Sequence, residues 1–267
     1  MINFHLKLLK SFSVTKTIVS PFITEIKLSN PTKRNPLSLD TLSKICSGID
    51  ALDLNSKILI ISSEGPAFSA GHDLKEINQM NDSQRHALFS KLCEIANKLR
   101  KIPQVSIASV QGMVTAAGIG LVGACDIVIS SPEAKFGLTG INYGLSCVSP
   151  AEFLIDYVGD KKLMLLLMEG DFINAENAER IGMVSRITKT HDDLNKETLE
   201  LAHKIAEKTS ESLDIGKKGV YGMKATLCQD KRDQIACESM INLLKAESTQ
   251  EGVKAFIEKR KPNWNKK

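Results

Sequence analysis

The chain has 267 residues, enough for one large domain or two small ones around a substantial core. Hydrophobic residues make up 42% and charged residues 25%, a globular balance that excludes extensive disorder, collagen-like repeats and a coiled-coil rod. The formal charge of +4 is concentrated at the ends: Lys7, Lys10 and Lys16 precede the first acid, Glu25, and Lys259, Arg260, Lys261, Lys266 and Lys267 crowd the C-terminus. No stretch approaches the ~20 apolar residues that span a bilayer, so no membrane span is expected. No long basic stripe is interleaved with aromatics, so no nucleic-acid partner is expected either. Isolated basic residues remain suited to a small phosphorylated ligand. Cys46, Cys93, Cys125, Cys147, Cys228 and Cys237 form no C-x-x-C pair. Neither a disulfide framework nor a zinc site is expected, and reduced thiols fit a cytosolic or organellar compartment.

In chain order, Phe4, Leu8 and Phe12 recur at helical spacing beside Lys7 and Lys10 with no acid. This reads as an amphipathic leader of the mitochondrial kind over residues 1–16, although it lacks arginine. Without a leader the chain is expected in the cytoplasm. Thr17–Leu28 alternates and predicts one or two strands broken at Pro21. Ser38 is placed to cap a helix carrying Leu42, Ile45, Ile49 and Leu52. Lys57–Ser62 predicts a strand buried on both faces. After a Gly/Pro/Ser loop, a short helix is expected at Asp73–Met80. A longer one, capped by Asp82 or Ser83, should run to Ile102 before Pro103. Gln104–Val110 and Asp126–Ser130 predict further buried strands around a small-residue helix at Gly112–Ala124. Residues 131–150 read as loop with short extended pieces. Beyond Ala151 the pattern is helical apart from a short strand at Val184–Ile187. The fold class is therefore α/β with a helical C-terminal region.

Gly118, Gly120 and Gly123 match G-x-G-x-x-G. A dinucleotide site needs its first glycine in the turn after a strand, with an acid ~20 residues on. Here the glycines fall inside a helix, so close helix packing is the favoured account and a nicotinamide dehydrogenase the remote alternative. The more informative segments are 67–75 (AFSAGHDLK) and 111–118 (QGMVTAAG). In each, an apolar strand ends in small residues and a helix begins, leaving free backbone N–H groups. Two such groups converging on one point form an oxyanion hole.

With NPTKRNPLS at 30–38, GPAFSAGHDLKE at 65–76, ASVQGMVTAAG at 108–118, ACDIVISSPEAKFG at 124–137 and EGVKAFIEKRKPNW at 251–264, the chain resembles the crotonase (enoyl-CoA hydratase/isomerase) family. The resemblance covers nearly everything from residue 17. It implies a ββα spiral over 17–200 and a helical trimerisation region over 201–267, with trimers that often pair into hexamers. It also implies a hooked acyl-CoA ligand whose thioester carbonyl accepts hydrogen bonds from the backbone N–H groups of His72 and Ala117. Lys33, Arg34, Ala70 and Lys75 match the CoA-binding segments. Phe256 and Lys259 match a tail that reaches the ligand from a neighbouring subunit. No metal and no cofactor beyond the CoA thioester itself is implied.

Hydratases of this family use two glutamates to position water and move its protons. The matching positions here are Gly120 and Gly140, which can do neither. The pattern resembles a mitochondrial branch of the family whose reaction the resemblance leaves open. Tyr143, Ser146 and Cys147 border the second position and are candidates for a different chemistry; packing and helix capping are their structural alternatives. Two functions follow as expectations: an acyl-CoA enzyme of altered mechanism in lipid metabolism, or a non-catalytic acyl-CoA binder or regulatory protein.

Overall fold

The computed structural model describes residues 13–264. Two ladders of strands organise it. In chain order the chain forms β1 (Val14–Ser20), β2 (Ile23–Leu28), α1 (Leu39–Asp50), β3 (Ile58–Ser63), β4 (Ala67–Ser69), α2 (Leu74–Gln79), α3 (Asp82–Lys101), β5 (Val105–Val110), β6 (Met113–Thr115), α4 (Ala117–Gly123), β7 (Ile127–Ser130) and β8 (Lys135–Gly137). There follow α5 (Val148–Glu152), α6 (Asp160–Glu169), β9 (Phe172–Asn174), α7 (Ala175–Arg180), β10 (Arg186–Ile187), α8 (Asp193–Ala206), α9 (Ser210–Lys224), α10 (Gln229–Lys245) and α11 (Glu247–Ile257). One sheet has the order β1-β2-β3-β5-β7-β10, parallel except for the β1–β2 hairpin. The other runs β4-β6-β8-β9, with β4, β6 and β8 parallel. Three times in succession (β3–β4, β5–β6, β7–β8) the chain adds one strand to each sheet. The result is a ββα spiral.

The first sheet is apolar on both faces, as its near-continuous hydrophobic strands require. Ile26, Leu28, Leu59, Ile61, Ala108 and Val110 face the interior of the spiral, with α1, α3 and α4. Ile23, Ile58, Ile60, Ile107 and Ile129 face outward, where α8 covers them with Leu194, Ala202 and Ala206. The expected boundary at residue 200 therefore falls inside α8, a helix that packs as one piece on the spiral. Beyond it, α9 contacts α3 and β5, while α10 and α11 follow from α9.

The caps follow their chemistry. Ser38 Oγ accepts from the Thr41 amide at 3.1 Å. The long helix α3 is capped by Asn81, not Asp82 or Ser83: Asn81 and Gln84 exchange hydrogen bonds at 3.0 and 2.9 Å in a capping box. The segment Gly112–Ala124 is not one helix but β6 followed by α4; in 131–150 the short extended piece is β8, and α5 begins at Val148 where no helix was expected. Strand β9 interrupts the expected helical run after Ala151. Of the expected leader, residues 1–12 lie outside the described residues and Val14–Lys16 belong to β1. All six cysteines are free thiols.

Candidate active site

The site lies where the second sheet ends. Ser69 of β4 is paired with Val114 of β6, and Thr115 of β6 with Gly137 of β8. Adjacent paired strands run about 4.7–4.9 Å apart. Three residues beyond Ser69 is His72, and three beyond Val114 is Ala117. Strand register thus starts the two segments that carry His72 and Ala117 from adjacent positions. Gly140, three residues beyond Gly137, is carried there by the neighbouring strand.

Local backbone chemistry completes the approach. Gly71 has φ +81°, and a Cβ there would sit 2.9 Å from Ala116 Cβ and 3.1 Å from the Ala117 nitrogen. Only glycine lets the 71–72 backbone lie this close to the start of α4. Ala116 adopts φ 48°, ψ −122°, a conformation costly for any residue with a side chain, and its N–H donates to Gly137 O at 3.1 Å. Gly118 packs on Ser69, where an added Cβ would lie 3.0 Å from both the Ser69 Cβ and its carbonyl oxygen. Among the described residues, neither the His72 nor the Ala117 N–H has a hydrogen-bond partner. As the first residue of a helix, Ala117 has no carbonyl within that helix to meet its N–H.

The segment before α1 clamps the first of these loops. Ala70 N–H donates to Arg34 O at 2.9 Å and Leu37 N–H to Gly71 O at 2.8 Å. Buried Asn35, at φ 51°, donates from Nδ2 to Glu64 O and Ala67 O, each at 2.9 Å, and accepts from Asn30 N–H at 2.8 Å. The His72 imidazole is half-buried. Its Nδ1 donates to Leu37 O at 2.7 Å, and its ring meets Phe89 edge-on with centroids 5.4 Å apart. Burial pushes its pKa below the ordinary histidine value, and the Leu37 hydrogen bond opposes that shift only in part.

These groups open onto a cavity of about 670 Å³. Arg34, Ala70, His72, Ala117, Tyr143, Ser146 and Cys147 all line it. Lys33 and Lys75 are exposed nearby in sequence but do not line it, and neither do Phe256, in α11, and Lys259, just beyond it. Tyr143 is largely exposed. Cys147 is buried, and desolvation raises its pKa although the Gly140 backbone opposes this, so it is a thiol rather than a thiolate at neutral pH. Phe89, Met113, Thr139, Asp171 and Phe172 also line the cavity and were not anticipated. Asp171 is the only carboxylate among the described lining residues, and the φ +70° glycine before it is the one sequence signal of the turn that brings it there.

The two glycine positions are closed. A Cβ on Gly120 would lie 2.9 Å from Leu92 Cδ2 and 3.0 Å from Phe153 Cδ2. A Cβ on Gly140 would lie 2.3 Å from Leu145 O and 2.7 Å from Cys147 Sγ. Core side chains fill the first space, and backbone with a thiol fills the second. Gly118, Gly120 and Gly123 all lie within α4 against Ser69, Leu92, Phe153 and Leu154. They serve close packing, although a short strand, β6, does precede them.

Comparison with known proteins agrees with this architecture. A family model described as enoyl-CoA hydratase/isomerase matches residues 20–267. The chain is 38% identical over 257 residues to mouse (Mus musculus) mitochondrial enoyl-CoA hydratase domain-containing protein 3, covering 94% of this chain and 84% of that one. The crystal structure of the human protein of that name superposes with a TM-score of 0.88 at 34% identity, covering 94% of this chain and all (100%) of that chain. A Mycobacterium smegmatis enoyl-CoA hydratase superposes with a TM-score of 0.91 at 30% identity, covering 95% and 99%. With its ββα spiral, its paired strand ends and this match along nearly its whole length, the chain belongs to the enoyl-CoA hydratase/isomerase family and has the crotonase fold.

Proposed function

We propose that this protein binds an acyl-CoA thioester and polarises its carbonyl between the N–H groups of His72 and Ala117, without the two-carboxylate hydration chemistry of the family. One observation supports the reading: His72 and Ala117, whose amides have no partner among the described residues, follow neighbouring paired strands and line one cavity that lacks both glutamates. Fixed amides favour the negative charge that develops on a thioester oxygen. Arg34 stands at the same cavity to meet a CoA phosphate, with Lys33 and Lys75 on adjacent surface.

The closed spaces at Gly120 and Gly140 favour a second version of the same reading, a binder or regulatory protein without turnover. Two features support assembly as a trimer or hexamer. The apolar side chains of α10 and α11 (Ile241, Leu244, Phe256 and Ile257) are exposed in the single chain, and Phe256 and Lys259 would reach a neighbour's ligand. A mitochondrial location is supported by the amphipathic leader pattern and by the names of the relatives.

Titration with butyryl-CoA and an assay of crotonyl-CoA hydration by mass spectrometry test the proposal together. Saturable binding is expected, with hydration depressed by roughly 10²–10⁴ for each missing proton-transfer group. Absence of binding, or hydration at rates usual for enzymes, would overturn it.

A further inference from the structure

We propose that the His72 imidazole is the proton-transfer group of this site, a base that removes a proton from the carbon next to the thioester carbonyl. The inference rests on the acyl-CoA reading above and adds a catalytic residue to it.

Three observations lead here. First, on the acyl-CoA reading one residue carries both an oxyanion amide and the imidazole, which ties the base to the carbonyl it serves. Second, Leu37 O can only accept, so Nδ1 carries the proton of the neutral ring. Nε2 is then left with a free lone pair, and among the described residues it has no partner. Third, His72 and the Phe89 ring that steadies it both line the cavity. Burial keeps the imidazole neutral at pH 7, the form that can accept a proton.

The alternatives in the cavity are weaker. Cys147 is held as a thiol. Asp171 is exposed and sits on a separate loop, after Gly170.

The step balances without a co-reactant. Nε2 takes the α-proton. The C–H electron pair forms the carbon–carbon double bond of an enolate, and the carbonyl pair moves onto the oxygen held by the two amides. The imidazolium then returns a proton to the same carbon. In an unsaturated chain it can return it two carbons away instead, which shifts the double bond. One base suffices for either outcome, so the closed positions at Gly120 and Gly140 are no obstacle.

The test is exchange of the α-protons of butyryl-CoA in D₂O, read by mass spectrometry. Wild-type protein should incorporate deuterium catalytically. His72→Phe keeps the ring against Phe89 and the backbone amide, and His72→Asn keeps a donor for Leu37 O. Each should bind butyryl-CoA as wild type does while exchange falls roughly 10²–10⁴-fold. Asp171→Asn is the comparison that tests the one carboxylate among the described lining residues. Wild-type binding without exchange would overturn the inference and leave the acyl-CoA reading standing. So would undiminished exchange in whichever His72 variant folds, or its loss in Asp171→Asn alone. Absence of butyryl-CoA binding to wild type would remove both.

Discussion

At Ala116 the backbone stores strain in order to aim an amide. Its φ of 48° and ψ of −122° lie outside the regions open to residues with a Cβ, and the next N–H, that of Ala117, is one of the two proposed oxyanion donors. Ala116→Gly should be folded and should still bind butyryl-CoA. Ala116→Val adds a branched side chain in the same conformation and should lose about 1–3 kcal/mol in urea unfolding; an unchanged midpoint would remove the strain argument. The segments 67–75 and 111–118 were legible as strand ends followed by helix starts, whereas His72 and Ala117 themselves came from the family resemblance. Ala116 was not, since alanine carries no signal for a positive φ. The His72 ring was not either: its partners, Leu37 and Phe89, are distant in sequence and meet it only through the folding of separate turns.

Among the elements, α4 and the turn after β8 carry the two glycines on which the proposed loss of hydration chemistry rests. Gly120 faces Leu92 of α3 and Phe153 beyond α5, and Gly140 faces the Leu145 carbonyl. The absence of two glutamates is plain in the sequence, but the filling of their space is not. Phe153 lies 33 positions from Gly120, and nothing in its local pattern marks it as the group that fills the gap. Gly120→Glu and Gly140→Glu should therefore each destabilise by about 1–3 kcal/mol through overpacking. Neither variant, nor the pair, should gain crotonyl-CoA hydration. Recovery of hydratase turnover in the double variant would show that the spaces open readily. The longer strands and amphipathic helices were readable from their periods. The three-residue strands β4, β6 and β9 were not, because so few residues display no alternation, yet β4 and β6 set the register that places both amides.

Across the molecule, the helical region is tied to the spiral by one buried polar cluster. Asp126, before β7, accepts from the Ser106 N–H and hydroxyl at 2.7 and 2.8 Å, and from Tyr221 OH of α9 at 2.7 Å. Lys217 of α9 pairs with it at 2.8 Å and also donates to Gln104 O at 2.7 Å. Both charges are shielded, with side chains only 12% and 5% exposed. Burial, reinforced by the Asp126 charge, pushes the Tyr221 pKa well up, so its hydroxyl remains a donor. Lys217→Met would leave the carboxylate buried without its cation, a change that costs about 3–5 kcal/mol. Urea unfolding should show that loss, and a change within about 0.5 kcal/mol would mean that the clasp contributes little. The sequence reveals the helical tail but not this joint, in which Lys217 and Tyr221 lie more than ninety positions from Asp126.

The central claim concerns one oxygen atom. A crystal structure with bound butyryl-CoA should place the thioester oxygen about 2.7–3.1 Å from the nitrogens of both His72 and Ala117. The same oxygen turned to solvent, or bound at another surface, would contradict the account.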